Sequence, residues 1–179
     1  MAGNARPSWS ASGRRRRGPP PRRSGSRSAT SATCSMVAAT PWLTVVFAVA
    51  FAAWALYVSL VEHPARLSID PAAAVAQFRA SYRLAALYQA SFAALGLIAG
   101  IIASATSGDA VWAIGGVVVG TAIPFTLIVI RPTNRRLLDT DHVGENARHL
   151  LVRWGRLHWV RSVLGVLAVA VLALRIRLD

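Results

Sequence analysis

The sequence predicts an all-α protein, a bundle of four transmembrane helices that follows a basic N-terminal tail. Two observations predict this class. Charged residues make up only 15% of the chain, whereas soluble domains carry about 25%. The apolar residues, 54% of the chain, fall into four long blocks that are uncharged or nearly so, of a length suited to a bilayer core of about 30 Å. We therefore expect a multi-pass protein of the cell membrane.

Residues 1–40 form a separate tail with a disordered composition. They are rich in Arg, Pro, Ser and Gly, and such segments bury too little apolar surface to fold. Eight of the 20 Arg residues lie here and supply most of the net charge of +13. A basic tail can bind anionic lipid or nucleic acid. Because Trp9 is the only aromatic residue of the tail, we predict no nucleic-acid partner. A true start at Met36 remains an open alternative.

The membrane domain is expected to occupy residues 41–179. An amphipathic segment that begins at Asp70-Pro71 leads into its second span, because Asp caps a helix and Pro fits the first helical position. A short link joins spans two and three, which predicts antiparallel neighbours. The four spans are expected at about 41–61, 84–104, 111–130 and 154–174.

Prolines and glycines predict local features of spans one and three. At Glu62-His63-Pro64 span one should stop or kink, because proline cannot continue the helix hydrogen-bond ladder. Pro124 predicts a kink in span three, where Thr121 or Thr126 can bond the exposed backbone. Gly116 and Gly120 have the small-xxx-small spacing that favours close helix packing.

Four spans place the 1–2 and 3–4 connections on the same side of the membrane. These connections carry nine Arg residues. The opposite side carries two, or ten when the tail is counted. Because cytoplasmic segments are enriched in basic residues, we favour a cytoplasmic location for the two connections.

Polar residues concentrate at one end of the bundle, which we call the polar end. Trp154, His158 and Arg161 stand at i, i+4 and i+7 and so share one helix face. Ionisable residues within spans are expected to be functional. The polar end comprises Glu62-His63, Tyr82-Arg83, Arg131–Asn134 and His158–Arg161.

Several roles are open for these residues. Arg161 can hold an anionic oxygen or extend to lipid phosphate, and Asn134 can cap backbone carbonyls or donate to a ligand. Trp154 can equally be an aromatic residue of the membrane interface. A metal site of two His and Glu62 is disfavoured, because Glu62 and His63 are adjacent and diverge by about 100° on a helix. We therefore predict no metal.

The order of these motifs resembles the anthrone oxygenase-like family of small four-helix membrane proteins. The resemblance covers residues 42–174 and rests on Glu-His-Pro, Tyr-Arg, Ile-Pro-Phe-Thr, Arg-Pro-Thr-Asn-Arg-Arg-Leu and Trp-Gly-Arg-Leu-His-Trp-Val-Arg. It implies a four-helix bundle. Fungal members are associated with oxidation of anthrones to anthraquinones by dioxygen without an obvious cofactor, whereas most bacterial members have no assigned activity.

The resemblance implies a site in which a His base removes a substrate proton while Arg161 and Asn134 stabilise the oxyanion. An apolar aromatic substrate would arrive from the membrane lipid. The alternative is a non-catalytic protein that binds lipid or assists assembly; a transporter is less favoured, because no charge lies mid-span. The predicted catalytic residues are His158, His63, Arg161 and Asn134, and the predicted substrate-binding residues are Glu62, Tyr82, Thr126 and Trp154.

Overall fold

Four long helices make up the part of the chain that the computed structural model describes, residues 39–139 and 146–178. Each helix is long and apolar enough to cross a bilayer, and the described residues contain no strand. This confirms the predicted class. The predictions for the tail fall almost entirely on residues 1–38, outside the described residues. The helices are α1 (Thr40–Leu67), α2 (Pro71–Ser107), α3 (Ala110–Leu138) and α4 (Ala147–Arg177).

Helices α1, α2 and α3 extend past the predicted spans mainly at the polar end, where α4 also begins earlier. The difference is largest in α2, which runs for 37 residues because the amphipathic segment and the second span form one helix. Asp70 caps its start as expected. The Asp70 carboxylate accepts hydrogen bonds from the backbone N–H groups of Ala72 (2.9 Å) and Ala73 (3.2 Å).

Neither α1 nor α3 ends at the proline of the polar end. A π-helical turn at Val58–Glu62 precedes Pro64, and another at Thr126–Ile130 precedes Pro132. Proline lacks an N–H and its ring crowds the carbonyl four residues earlier. The wider π turn accommodates both effects, so the helix continues for another turn or two. Of the stop or kink expected at Pro64, the stop does not occur, because the helix continues through the π turn to Leu67.

The link between α2 and α3 is a two-residue turn at the end opposite the polar end. Gly108, with φ of +74°, ends α2 in the left-handed conformation that favours glycine. Asp109 caps α3 by accepting a hydrogen bond from the Val111 N–H at 2.9 Å. Its carboxylate also pairs with Arg175. The Arg175 hydrogen bond first, and the Val111 N–H second, lower the pKa of Asp109.

Near this link lies the glycine end, formed by Gly96, Gly100, Gly116 and Gly120, where α2 and α3 pack backbone against backbone at Gly96, Gly100 and Gly116 while Gly120 makes room for the Leu97 side chain. A Cβ atom on Gly100 would lie 2.6 Å from the Trp112 carbonyl oxygen, and one on Gly116 would lie 3.0 Å from the Gly96 carbonyl oxygen. Neither position has room for a side chain. The spacing of Gly116 and Gly120 therefore serves the close packing that the sequence predicts.

Above the glycine end the helix of α3 is interrupted at Thr121, three residues before Pro124. The Thr121 hydroxyl donates to the Val117 carbonyl at 2.7 Å, and the Thr126 hydroxyl to the Ala122 carbonyl at 2.6 Å. Both carbonyls also accept a backbone N–H, so neither hydroxyl replaces the hydrogen bond that Pro124 cannot donate to the Gly120 carbonyl. Beyond it, the four helices leave a cavity toward the polar end.

Candidate functional site

A cavity of about 740 Å³, measured out to its open mouth, lies among the four helices near the polar end. Seven of the eight predicted site residues line the cavity, namely Glu62, Tyr82, Thr126, Asn134, Trp154, His158 and Arg161. Apolar side chains form most of the rest of its wall.

His63 is the predicted site residue that does not line the cavity. It is buried and packs against Trp154, with ring centroids 5.3 Å apart. Gly155 provides its space, since a Cβ atom there would lie 2.1 Å from His63 Nε2. A direct catalytic role does not fit this placement. His63 instead supports one side of the Trp154 ring.

His158 is the most buried ionisable residue of α4 and is held by a chain of hydroxyl groups. Only 2% of it is exposed. Its Nδ1 lies 3.1 Å from the Ser59 hydroxyl, which lies 2.9 Å from the Ser162 hydroxyl. The Ser162 hydroxyl in turn lies 3.0 Å from the Ala55 carbonyl oxygen. The chain therefore joins α4 to α1.

The direction of these hydrogen bonds follows from the last acceptor. A carbonyl oxygen can only accept, and a hydroxyl has one hydrogen to donate. Ser162 therefore donates to Ala55, Ser59 donates to Ser162, and His158 Nδ1–H donates to Ser59. This order assigns the proton of a neutral imidazole to Nδ1 and leaves the lone pair on Nε2. This series of hydrogen bonds thus makes Nε2 the basic nitrogen of the His158 ring.

Asn134 connects three helices within the cavity wall. Its side-chain oxygen accepts from Trp154 Nε1 at 2.8 Å, and its side-chain nitrogen donates to the Tyr82 hydroxyl at 2.9 Å. The amide thus does not cap backbone carbonyls. Because the Tyr82 oxygen acts as acceptor in this bond, its own hydrogen remains for another partner. The sequence predicts that Asn134 donates a hydrogen bond to a ligand. In the structure the Tyr82 hydroxyl is better placed to donate that bond.

Aromatic rings surround Trp154 on several sides. The Trp154 ring lies 4.9 Å from the His158 ring and 5.3 Å from the Phe78 ring, edge to face. The Arg66 guanidinium lies 5.5 Å from the centre of Phe78 and 5.7 Å from that of Trp154. Such cation–π contacts stabilise a cation that is removed from water. Trp154 is therefore a central member of the wall rather than an interface residue alone.

Arg66 is a site residue that the sequence analysis missed. It is only 2% exposed, lines the cavity and pairs with Glu62 one helical turn earlier. A helix that ended at Pro64 would have separated the two residues. The i, i+4 spacing of Glu62 and Arg66 was the available signal, but it requires the helix to continue past the proline.

Two further polar side chains face the cavity from opposite helices. Arg161 on α4 is 8% exposed, and its guanidinium carbon lies 5.8 Å from the centre of the Phe51 ring. Gln89 on α2 is 3% exposed and lines the same cavity. Among the described residues, neither Arg161 Nε nor Gln89 Nε2 has a hydrogen-bond partner. The signal for Gln89 was an amide within an otherwise apolar span.

The described residues contain no group of three His, Cys, Asp or Glu side chains that could share one metal ion. Glu62 is engaged with Arg66, and the His63 ring packs on Trp154. What the cavity offers is the imidazole of His158 together with hydrogen-bond donors at Tyr82 and Arg161.

The fold and the cavity define a small multi-pass membrane protein with a buried polar site. The family model for anthrone oxygenase matches residues 78–171, so the chain belongs to this family. The match confirms the family that the motifs indicate. It includes Tyr82, Asn134, His158 and Arg161 but begins after the Glu62–Arg66 pair. No curated protein and no solved structure matches the chain.

Proposed function

We propose that this protein oxidises an apolar, anthrone-like aromatic substrate with dioxygen in the cell membrane, and that His158 is the general base. The observation that carries the proposal is the hydroxyl chain from His158 to the Ala55 carbonyl, which leaves Nε2 as the basic nitrogen beside the cavity. Family membership supports the reaction class.

The chemistry begins with proton removal from the carbon that lies opposite the carbonyl of an anthrone. His158 Nε2 takes this proton, and the remaining electron pair spreads onto the carbonyl oxygen as an enolate. Arg161 and Tyr82 stabilise the enolate oxygen as hydrogen-bond donors. Asn134 contributes by holding Tyr82 and Trp154 in place.

The electron-rich carbon then reacts with dioxygen. A new carbon–oxygen bond forms, and loss of one water molecule converts that carbon to a second carbonyl. One oxygen atom stays in the quinone and the other leaves in the water, so the substrate supplies all the electrons that reduce dioxygen. The balance is one anthrone and one dioxygen to one anthraquinone and one water.

Access from the bilayer suits such an apolar substrate. Ala90 on α2 and Leu127 on α3 line the cavity and are also exposed on the outer surface, Leu127 by 57%. The two residues therefore mark a lateral opening between α2 and α3. Membrane lipid is then the phase from which the substrate enters.

The decisive experiment measures oxygen consumption and quinone formation by the purified protein with anthrone as substrate. His158→Gln should reduce the rate by about 10²–10⁴-fold, because that is the usual contribution of a general base. His149→Gln is the matched control, since His149 lies exposed on the same helix. Spontaneous oxidation without protein is subtracted. Equal rates for the two variants would refute the assignment of His158.

A second candidate function is binding of membrane lipid without catalysis. The lateral opening between α2 and α3 favours it, because a lipid tail can enter by the same route as a substrate. Wild-type protein that consumes no oxygen but retains a specific lipid through purification would support this function over the oxygenase. Mass spectrometry of the purified protein identifies such a lipid.

A further inference from the structure

Arg161 is a buried cation without an acidic partner among the described residues. The other cation of the cavity, Arg66, pairs with Glu62. These three groups leave the cavity with one net positive charge. Burial of an unpaired charge strongly disfavours folding, and such charges persist in membrane proteins at functional sites. A ligand with one negative charge would neutralise Arg161.

Gln89 lies at the same depth in the bundle as Arg161. The Tyr88 ring, next to Gln89, contacts the Trp54 ring at a centroid distance of 5.7 Å. The carbonyl of Ala55, next to Trp54, accepts from Ser162, next to Arg161. Trp54 and Ala55 are neighbours on α1, and they contact the residues next to Gln89 and Arg161. Gln89 and Arg161 therefore face the cavity at one level from opposite helices.

The wall next to this level is aromatic. Phe51 lies against the Arg161 guanidinium, while Phe78, Trp154 and the His158 ring continue the wall toward the polar end. Aromatic rings favour the faces and edges of other flat rings. The wall therefore suits a flat ring system better than a flexible chain.

We propose that the cavity binds a flat aromatic ligand that carries a single negative charge, a phenolate or carboxylate, with its charged oxygens at Arg161 and Gln89. Gln89 is a binding residue in this assignment. This proposal rests on the proposed function, because we take the ligand to be the substrate or product of the proposed oxidation. It adds that this molecule is flat and carries one negative charge. Binding is measured separately from turnover, so the two proposals can fail independently.

The test compares four probes for binding to the purified full chain, followed by quenching of tryptophan fluorescence. Three share one ring system and differ in charge: anthraquinone-2-carboxylate, unsubstituted anthraquinone and an aminomethyl-anthraquinone cation. The fourth, oleate, has the carboxylate without the rings. Anthraquinone-2-carboxylate should bind about tenfold or more tightly than each of the others, as expected for a charge-assisted hydrogen bond.

Variants then locate the charge recognition. Arg161→Met should remove the preference for the anion, and Gln89→Glu should do the same by placing a negative charge opposite Arg161. Arg156→Met, at an exposed position of the same helix, should keep the preference.

Equal binding of the anion and the neutral quinone by the wild-type protein would overturn the proposal, whatever the folding of the variants. Binding of oleate as tight as that of the anthraquinone carboxylate would overturn the aromatic part. Retention of the anion preference in folded Gln89→Glu protein would overturn the role of Gln89. None of these results bears on oxygen consumption.

Discussion

The glycine end and the polar end use the same four helices but opposite kinds of packing. At the glycine end α2 and α3 touch through backbone atoms, and a Cβ atom on Gly100 would lie 2.6 Å from a carbonyl oxygen. At the polar end long side chains from all four helices keep the backbones apart and surround the cavity. The comparison indicates that close contact at one end fixes the helices, which allows the other end to stay open for a ligand.

The largest effect is expected where a side chain is forced into the glycine end. Gly100→Leu must displace the Trp112 carbonyl and Gly116, so it should destabilise the fold by about 1–3 kcal/mol or more, the usual effect of overpacking. Ala90→Leu is the matched variant on the same helix, because Ala90 faces the cavity opening. It should leave the melting temperature nearly unchanged and weaken ligand binding. Similar losses of thermal stability in detergent for both variants would contradict the contrast between the two ends.

An intermediate effect is expected at Asn134. Asn134→Leu leaves Trp154 Nε1 and the Tyr82 hydroxyl without their partner. The free energy of unfolding should fall by about 1–3 kcal/mol, the usual consequence of a lost buried hydrogen bond. Tyr82→Phe removes only one of the two bonds and should lower stability less. If Tyr82→Phe lowered the free energy of unfolding more than Asn134→Leu does, Asn134 would not be the centre of this network.

The smallest effect is expected at the partly exposed Asp109–Arg175 pair beside the glycine end. Because hydrogen bonding lowers the pKa of Asp109 in the folded protein, the pair stabilises the fold above the usual carboxyl pKa. That stabilisation is lost as the pH falls through the lowered value. Asp109→Asn should therefore reduce the difference in melting temperature between about pH 7 and about pH 3 only slightly. An unchanged difference would show that the pair contributes nothing to stability.

The sequence predicts the helices, the Asp70 cap and the glycine contacts, because each depends on residues close together in the chain. It also predicts the face shared by Trp154, His158 and Arg161, which lie in an unbroken stretch of α4. The placement of His63 and Arg66 could not be predicted in the same way. Regular helical periodicity of about 100° per residue fails across the π turn before Pro64.

The hydroxyl chain of His158 is a second feature that sequence reasoning did not reach. Ser162 shares a helix face with His158, at i+4. Ser59, however, is 99 residues from His158. Serines are common in membrane helices and carry no signal of their own. Only the packing of α1 against α4 assigns Ser59 its partner.

The two π turns also have a consequence for the history of the chain. A π turn holds one residue more than the α-helical turn that it replaces, and both flanks keep their orientation. Val58–Glu62 and Thr126–Ile130 are therefore places where a single residue can be gained or lost without turning the rest of the helix. A relative that lacks the proline after either turn is expected to be one residue shorter at that place. An alignment should then show a one-residue gap inside an apolar span, where insertions and deletions are otherwise rarely tolerated.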